Sequence, residues 1–451
     1  MQAIVVALDR LATSVLGCYG NDWIETPHLD RLASKSVVFD RHFAEHTGES
    51  VGVSLGTGRL PHDAAAHADE LKSDWSSVTD ALGVELHLLH EADALPWSSL
   101  MKATSRAVIA AQPDSDPKPD EIPFARLVRA ACTTLTQPRG AASRIVWLHS
   151  AGVPEPWLPP EGFATLYFED YAERGCDMSA VTRDNWGTHP AAYAGYVSLL
   201  DHWLGELLAV VKASAANEPT LLVFIAACGC DWTQEPGPRT FVSSFDEEDD
   251  SFPIEVAPFN EAAVDEAVSE TEIEIAPERL HQPTLSRPTH SLVEEVTRTP
   301  LLLRLFDGGS FDVEFAGTRS QRLVQTADLA ATLLDFFQLP VSPTVIDGRS
   351  LLNELIETDL PRDRVCFTDG AGSRGIRTVD WSCLVREPVE SSDADSHEAG
   401  PPGAEPSAQL FAKPEDYWEV NDVSGQQREV TATLIGQLNA ALPMLPRSLL
   451  P

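Results

Sequence analysis

Short apolar runs of strand length alternate along this chain with longer segments whose apolar residues recur at helical spacing. Runs that are apolar throughout are typical of strands buried on both faces of a parallel sheet. The pattern therefore predicts an α/β fold. The predicted strands cover residues 3–8, 37–43, 144–149, 220–226 and 300–305.

Three segments carry the periodicity of amphipathic helices. The clearest is 190–212, with Pro190 in its first turn and leucines on one face. A second helix is predicted to begin after Thr326, which is a suitable N-cap, and to end before Pro340. A third is expected to close the chain at 430–442.

Charge and cysteine content restrict the possible partners and compartment. The 451 residues carry a formal charge of −37, which argues against nucleic-acid binding through a basic surface. No apolar run reaches the roughly 18 residues of a membrane span, and the chain opens on a strand pattern rather than a signal peptide. Seven scattered cysteines are typical of reduced thiols. We therefore expect a cytoplasmic protein with no nucleic-acid or membrane partner.

Two segments interrupt the alternation of strands and helices. Residues 231–280 contain 15 acidic and two basic side chains, so 231–285 is predicted to be an acidic surface insertion. Its acidic residues lack the spacing of a calcium-binding loop. Residues 388–408 are rich in Pro, Ser, Gly, Asp and Glu, which predicts a mobile hairpin loop.

A series of short motifs occurs in an order that resembles the sulfatase family of the alkaline-phosphatase-like superfamily. These motifs are Leu-Gly-Cys-Tyr-Gly at 16–20, Thr-Pro-His-Leu-Asp-Arg-Leu-Ala at 26–33, Thr-Gly-Arg at 57–59, Arg-Thr-Pro-Leu at 298–301, Asp-Leu-Ala-Ala-Thr-Leu-Leu at 328–334 and Asp-Gly-Arg-Ser-Leu at 347–351. The resemblance implies a three-layer α/β/α sandwich with a mixed, mainly parallel central sheet, plus a small C-terminal α+β subdomain. We expect the sulfatase-like domain to span 1–357 and the subdomain, with antiparallel strands and a helix, to span 358–451.

The resemblance also implies where a nucleophile should lie. Sulfatases use a formylglycine made from the first residue of Cys-x-Pro-Ser-Arg. Counting back from the Thr-Gly-Arg motif places Gly48 at this position, and Ser50 and Gly52 where the modifying enzyme reads Pro and Arg. Glycine has no side chain to oxidise, so we expect no formylglycine chemistry. Thr47 and Ser50, each within two residues of Gly48, are the candidate replacement hydroxyls.

The metal-binding positions of the family are altered as well. Asp9 matches the first carboxylate of an Asp-Asp pair, but its partner is Arg10, and the later pair falls on Ala227 and Cys228. A lone carboxylate does not supply the 6–8 oxygens that calcium prefers. We therefore expect the family calcium site to be lost and no cofactor to be bound. Asp9 and Arg10 could instead pair with each other, although adjacent side chains need not face each other.

The auxiliary cationic positions are also incomplete. The family's late Lys aligns near Thr289, with His290 beside it, and Arg59 falls where the family braces the loop behind the nucleophile. His42, His46 and His149 are further neighbours of the site, each better explained as a core or surface residue than as a ligand.

These observations predict a catalytically silent sulfatase-fold protein that binds a small anion or a protein partner. The vestigial cleft would contain Asp9, Arg10, Thr47, Gly48, Arg59, Ala227, Cys228 and His290. The alternative is an active sulfate- or phosphate-ester hydrolase with an altered mechanism, since Asp9 and Arg10 could bind an anionic group without a metal.

Overall fold

Both faces of the first strand are buried, because each of its alternating sides enters a different hydrophobic core. In the computed structural model, Ile4, Val6 and Leu8 belong to one cluster and Ala3, Val5 and Ala7 to another. The structure describes residues 1–47, 52–60, 76, 79–80, 83–92, 101–110, 118–138, 143–153, 157–168, 187, 189–230, 292–306, 317–340, 346–352, 361–369, 372–386 and 407–442. All of them lie in one compact unit formed by Met1–Trp232 and Ser286–Pro451.

The main sheet has eight strands in the order β4-β3-β5-β1-β6-β7-β2-β8. These strands are β1 (Gln2–Leu8), β2 (Val37–Phe43), β3 (Val84–Glu91), β4 (Ser105–Ile109), β5 (Ser143–Ser150), β6 (Thr220–Ala226), β7 (Leu301–Phe306) and β8 (Thr318–Gln325). Only β7 runs antiparallel to its described neighbours, so the sheet is mixed and mainly parallel. The carboxyl ends of the other strands therefore meet at one edge, which we call the carboxyl edge.

Helices cover both faces of this sheet, which confirms the three-layer prediction. The helices of the main part are α1 (Pro27–Ala33), α2 (Val53–Thr57), α3 (Pro123–Thr136), α4 (Glu161–Ala164), α5 (Pro190–Ser214), α6 (Glu294–Thr297) and α7 (Asp328–Phe336). Helices α3 and α5 pack with the first cluster, and α2 and α7 with the second.

The strands and helices predicted from the sequence are present in the structure, and some of them begin or end at slightly different residues. The predicted strand at 220–226 coincides with β6, and the helix predicted at 190–212 extends to Ser214. The prediction that Thr326 caps α7 is wrong, because the N-cap is Ala327 and makes no side-chain cap. The Thr326 hydroxyl instead lies 3.4 Å from His42 Nε2, and the Asp328 carboxylate accepts from the Gln325 amide at 2.8 Å.

A second, antiparallel sheet follows in the C-terminal part, in the order β12-β11-β10-β9. It consists of β9 (Arg364–Thr368), β10 (Ser373–Thr378), β11 (Trp381–Arg386) and β12 (Ser407–Ala412), and is covered by α8 (Arg428–Ala441). This confirms the prediction of a small C-terminal α+β part with antiparallel strands and a helix. The predicted domain boundary between residues 357 and 358 stays a prediction. Strand β12 begins at Ser407, inside the loop expected to run to residue 408, and the rest of that loop and the 231–285 insertion lie outside the described residues.

A buried ion cluster ties the C-terminal part to α6. Lys413, whose side chain is fully buried, places Nζ 2.6 Å from Glu294 Oε2 and 3.3 Å from Glu419 Oε1. The same ammonium donates to the carbonyls of Asp416 and Tyr417 at 2.8 and 3.1 Å. Two buried carboxylates and one ammonium can coexist only because each is paired.

We predict that Lys413→Met destabilises the fold by about 3–5 kcal/mol, since it leaves buried Glu419 without its cation and Glu294 with only the longer contacts to Arg298 and Arg377, at 3.6 and 3.9 Å. Urea unfolding measures the effect. Lys102→Met is the matched control, because the Lys102–Asp80 pair is exposed and its loss should cost less than about 1 kcal/mol. Equal costs for the two variants would contradict this interpretation of the cluster.

Candidate functional site

Parallel strand register brings together the residues that follow β1, β5 and β6. Asp9 and Arg10 follow β1, Ala227 and Cys228 follow β6, and His149 lies at the end of β5. Because these strands are adjacent in the sheet, their carboxyl ends form one continuous edge. Four of the predicted site residues therefore lie at the same edge.

The Asp9 carboxylate is hydrogen-bonded to His149. The sequence analysis named this histidine as a neighbour of the site but gave it no role. His149 Nε2 lies 3.0 Å from Asp9 Oδ1; the imidazole is fully buried, whereas the Asp9 side chain is 15% exposed. No ion pair between Asp9 and Arg10, the alternative that the sequence left open, is found among the described residues. The register explains the contact, because His149 pairs with Ala7, two residues before Asp9.

The backbone of Asp9 is fixed at both of its polar groups. Its amide donates to the Ser150 carbonyl at 3.1 Å. Its carbonyl oxygen is so close to Gly152 that a Cβ there would lie 1.5 Å away, and Gly152 has a φ of +69°. Only glycine satisfies both the backbone conformation and the close approach.

Across the edge, Ala227 and Cys228 offer little to a hard cation. The Ala227 amide donates to the Leu8 carbonyl at 2.7 Å, and the Arg10 amide points at Cys228 Sγ at 3.4 Å. Burial, reinforced by the negative charge of Asp9, raises the pKa of Cys228 to about 12. The thiol is therefore neutral near pH 7 and is a poor ligand.

Arg10 has a left-handed backbone, with a φ of +57°. Its carbonyl accepts a hydrogen bond from the buried Tyr193 hydroxyl at 3.0 Å, while its amide faces Cys228. For a residue with a Cβ this conformation costs roughly 1 kcal/mol or more, so the surrounding contacts must hold it.

A second group of polar side chains ends the adjacent strands, and sequence reasoning missed it. Ser150 Oγ donates to Glu91 Oε1 at 2.7 Å, and the Ala151 amide donates to Glu91 Oε2 at 3.1 Å. His90 Nδ1 lies 2.8 Å from the Glu91 carbonyl. These residues lie at the ends of β3 and β5, and that position was the only sequence signal for them. The hydrophobic pattern of one strand does not distinguish a polar residue at such an edge from a polar residue in the core.

The remaining predicted residues do not all join Asp9. The Thr47 amide donates to the Thr368 carbonyl at 3.0 Å, and its hydroxyl is buried with no hydrogen-bond partner among the described residues. Arg59 pairs with Asp347 at 3.8 Å, consistent with a bracing role behind α2. Gly48 and His290 lie outside the described residues.

The family model "Sulfatase" matches residues 2–339. The chain belongs to the sulfatase family. No curated protein sequence matches it.

Solved structures of sulfatases and related hydrolases share this fold. BT4656, solved in complex with its substrate D-glucosamine-2-N,6-O-disulfate, has a TM-score of 0.66 at 14% identity, over 97% of each chain. The phosphonate monoester hydrolase of Agrobacterium radiobacter has a TM-score of 0.63 at 15% identity, over 98% of this chain and 94% of that chain. A putative sulfatase from Bacteroides thetaiotaomicron VPI-5482 has a TM-score of 0.61 at 14% identity, over 98% and 90%. At these identities the likeness shows the fold alone.

The residues at the carboxyl edge do not fit the calcium ion that resemblance to sulfatases implies. One Asp9 oxygen is engaged by His149, Ala227 has no donor atom, and Cys228 is a buried neutral thiol. Calcium prefers six or more hard oxygens. Among the described residues, no three His, Cys, Asp or Glu side chains are arranged to hold a metal ion.

A separate buried polar network lies at the ends of β2 and β8 in this sulfatase fold. Glu45 Oε1 accepts from the Ala327 amide at 2.8 Å, and burial raises the pKa of Glu45 to about 7. Burial lowers the pKa of His42 to about 4, and its ring contacts Thr299 and Thr326. Beside them, Asp328 makes a bidentate pair with Arg362, with both distances at 2.7 Å. The network holds the segment that leads to Thr47.

We predict that Gly152→Ala destabilises the protein by about 3 kcal/mol or more, because it combines a disfavoured φ with a clash against the Asp9 carbonyl. Chemical denaturation measures the change. Gly83→Ala is the control, since Gly83 has a φ of +79° but open space around its Cβ position, and it should cost only about 1 kcal/mol. Similar costs at both positions would show that the Asp9 backbone is not held by this contact.

Glu45 should give the stability a defined pH dependence. Its pKa is higher in the folded state than in the unfolded chain, so the stabilisation is complete below about pH 4.5 and is lost as the pH rises towards 7. The free energy of unfolding of the native protein should therefore fall relative to Glu45→Gln by roughly 2–3 kcal/mol over this range. The exposed Glu429→Gln controls for the loss of one surface charge. If the difference in free energy of unfolding between the native protein and Glu45→Gln stayed constant from pH 4.5 to 7, the prediction would be contradicted.

Proposed function

We propose that this sulfatase-family protein does not hydrolyse sulfate esters by the formylglycine and calcium chemistry of its relatives. In this proposal it acts as a ligand- or partner-binding protein that uses the carboxyl edge of the main sheet. The observation that carries the proposal is the pairing of Asp9 with the buried His149. This contact engages the one carboxylate that matches the family metal site.

The residues opposite Asp9 support the same conclusion. Ala227 and Cys228 stand where the family places a second pair of metal ligands, and neither supplies a hard anionic oxygen near pH 7. The sequence adds that Gly48 occupies the nucleophile position without Pro and Arg after it. Loss of nucleophile and metal ligands together removes both the attacking group and the charge that would stabilise the transition state.

The alternative function is an active ester hydrolase that works without formylglycine. An Asp–His pair resembles the base of many hydrolases, and one solved structure of similar fold is a phosphonate monoester hydrolase. Here, however, the imidazole is fully buried and the carboxylate is the partner nearer the solvent. His149 therefore lacks access to a substrate as a general base, and the geometry favours binding over hydrolysis.

We predict no turnover of aryl sulfate, aryl phosphate or aryl phosphonate monoesters by the purified protein with calcium, magnesium, manganese or zinc. Chromogenic assays measure this, with an active sulfatase as the positive control. Gly48→Cys, produced together with a formylglycine-generating enzyme, should remain unmodified by mass spectrometry and equally inactive, because Ser50 and Gly52 replace the recognition residues.

The decisive comparison uses Asp9→Asn. Hydrolysis by the native protein that is lost in Asp9→Asn would overturn the proposal in favour of an altered hydrolase. Activity gained by Gly48→Cys alone would show that the nucleophile position has been assigned wrongly.

A further inference from the structure

The structure holds Arg10 in a conformation that side chains rarely adopt. Among the described residues, only Arg10, Gln338 and Glu419 have a positive φ without being glycine. Gln338 comes just after the end of α7, where left-handed residues are common, and Glu419 belongs to the Lys413 ion cluster. Neither explanation applies to Arg10. Its left-handed backbone is held by contacts with Cys228 and Tyr193.

The contacts that Arg10 makes with the described residues involve its backbone. The Arg10 amide faces Cys228 Sγ and its carbonyl accepts from Tyr193 Oη, and the next amide, of Leu11, donates to the Cys228 carbonyl at 3.1 Å. These three contacts hold the backbone of Arg10 and of the residue after it in place. The residue as a whole is half-buried.

The guanidinium of Arg10 makes no hydrogen bond or ion pair with any residue that the structure describes. The more deeply buried Arg144 and Arg362 do have partners: Arg144 bonds to Gln2 at 3.0 Å, and Arg362 pairs with Asp328. The nearest carboxylate in sequence, Asp9, is directed to His149 instead. Arg10 is thus a permanent, half-buried cation whose five N–H donors lack a described acceptor.

We propose that Arg10 binds a carboxylate group of a ligand in the absence of any metal ion. This inference rests on the proposed binding function and names the chemistry of the ligand. A planar guanidinium presents two parallel N–H donors that match the two oxygens of a carboxylate. A sulfate or phosphate group carries further charged oxygens, for which the residue before Arg10, the acidic Asp9, and the neutral thiol that its amide faces, Cys228, supply no positive charge.

The test is an NMR titration of benzoate and acetate into the full-length protein in EDTA, at constant ionic strength. We expect saturable binding with a Kd on the order of 1 mM, as befits a small ligand held by one bidentate pair. Arg10→Gly should weaken binding at least tenfold while keeping or raising the melting temperature, because glycine tolerates the positive φ. Arg10→Asn, which also tolerates this conformation, is the second variant.

The matched control is Gln338→Gly, which relieves the same backbone strain at an exposed position far along the chain. It should keep or raise the melting temperature and leave benzoate binding unchanged. Unaltered binding in both Arg10 variants, or no carboxylate binding by the native protein, would overturn the inference. Sulfate or phosphate binding that depends on Arg10 and exceeds that of benzoate would also overturn it.

Failure of this inference is distinguishable from failure of the proposed function. Ester turnover by a protein whose benzoate binding depends on Arg10 would contradict the proposed function alone. A protein without turnover whose benzoate binding ignores Arg10 would contradict only the inference.

Discussion

The hydrogen bond between Asp9 and His149 sets the chemistry of the carboxyl edge. It depends on the register between β1 and β5, which places His149 beside Ala7, and on Gly152, whose missing Cβ makes room for the Asp9 carbonyl. A one-residue slip between these strands would turn His149 to the opposite face of the sheet. The contact is therefore a property of the whole sheet rather than of two side chains.

The proposed loss of the metal ligands would also resolve an electrostatic problem. Several carboxylates gathered at the end of a sheet repel one another unless a cation offsets them. Here Ala227 and Cys228, which follow β6, carry no carboxylate, while His149 forms a hydrogen bond with the Asp9 carboxylate. Under this proposal the fold depends on burial of both faces of β1 and on the Lys413 cluster, and needs no metal ion at this edge.

The sequence predicted the scaffold better than the site, for physical reasons. Uninterrupted apolar runs reveal strands such as β6, because burial on both faces leaves no other pattern. The cap of α7 was missed because Thr326 has a tertiary partner, His42, that competes for its hydroxyl. The sequence left open whether Arg10 pairs with Asp9, because the left-handed backbone of Arg10 and the position of His149 on another strand are set by contacts distant in sequence. The sequence around a polar residue at a strand end, such as Glu91, does not show which other strand ends will lie beside it.

Calorimetric titration of calcium into the purified, EDTA-treated protein tests the nature of this edge most directly. With Asp9 engaged by His149 and no oxygen ligands from Ala227 or Cys228, we expect no saturable heat and no shift of the melting temperature up to millimolar calcium. Stoichiometric binding with a Kd below about 0.1 mM, abolished in Asp9→Asn, would contradict a site that has exchanged its metal for an internal histidine.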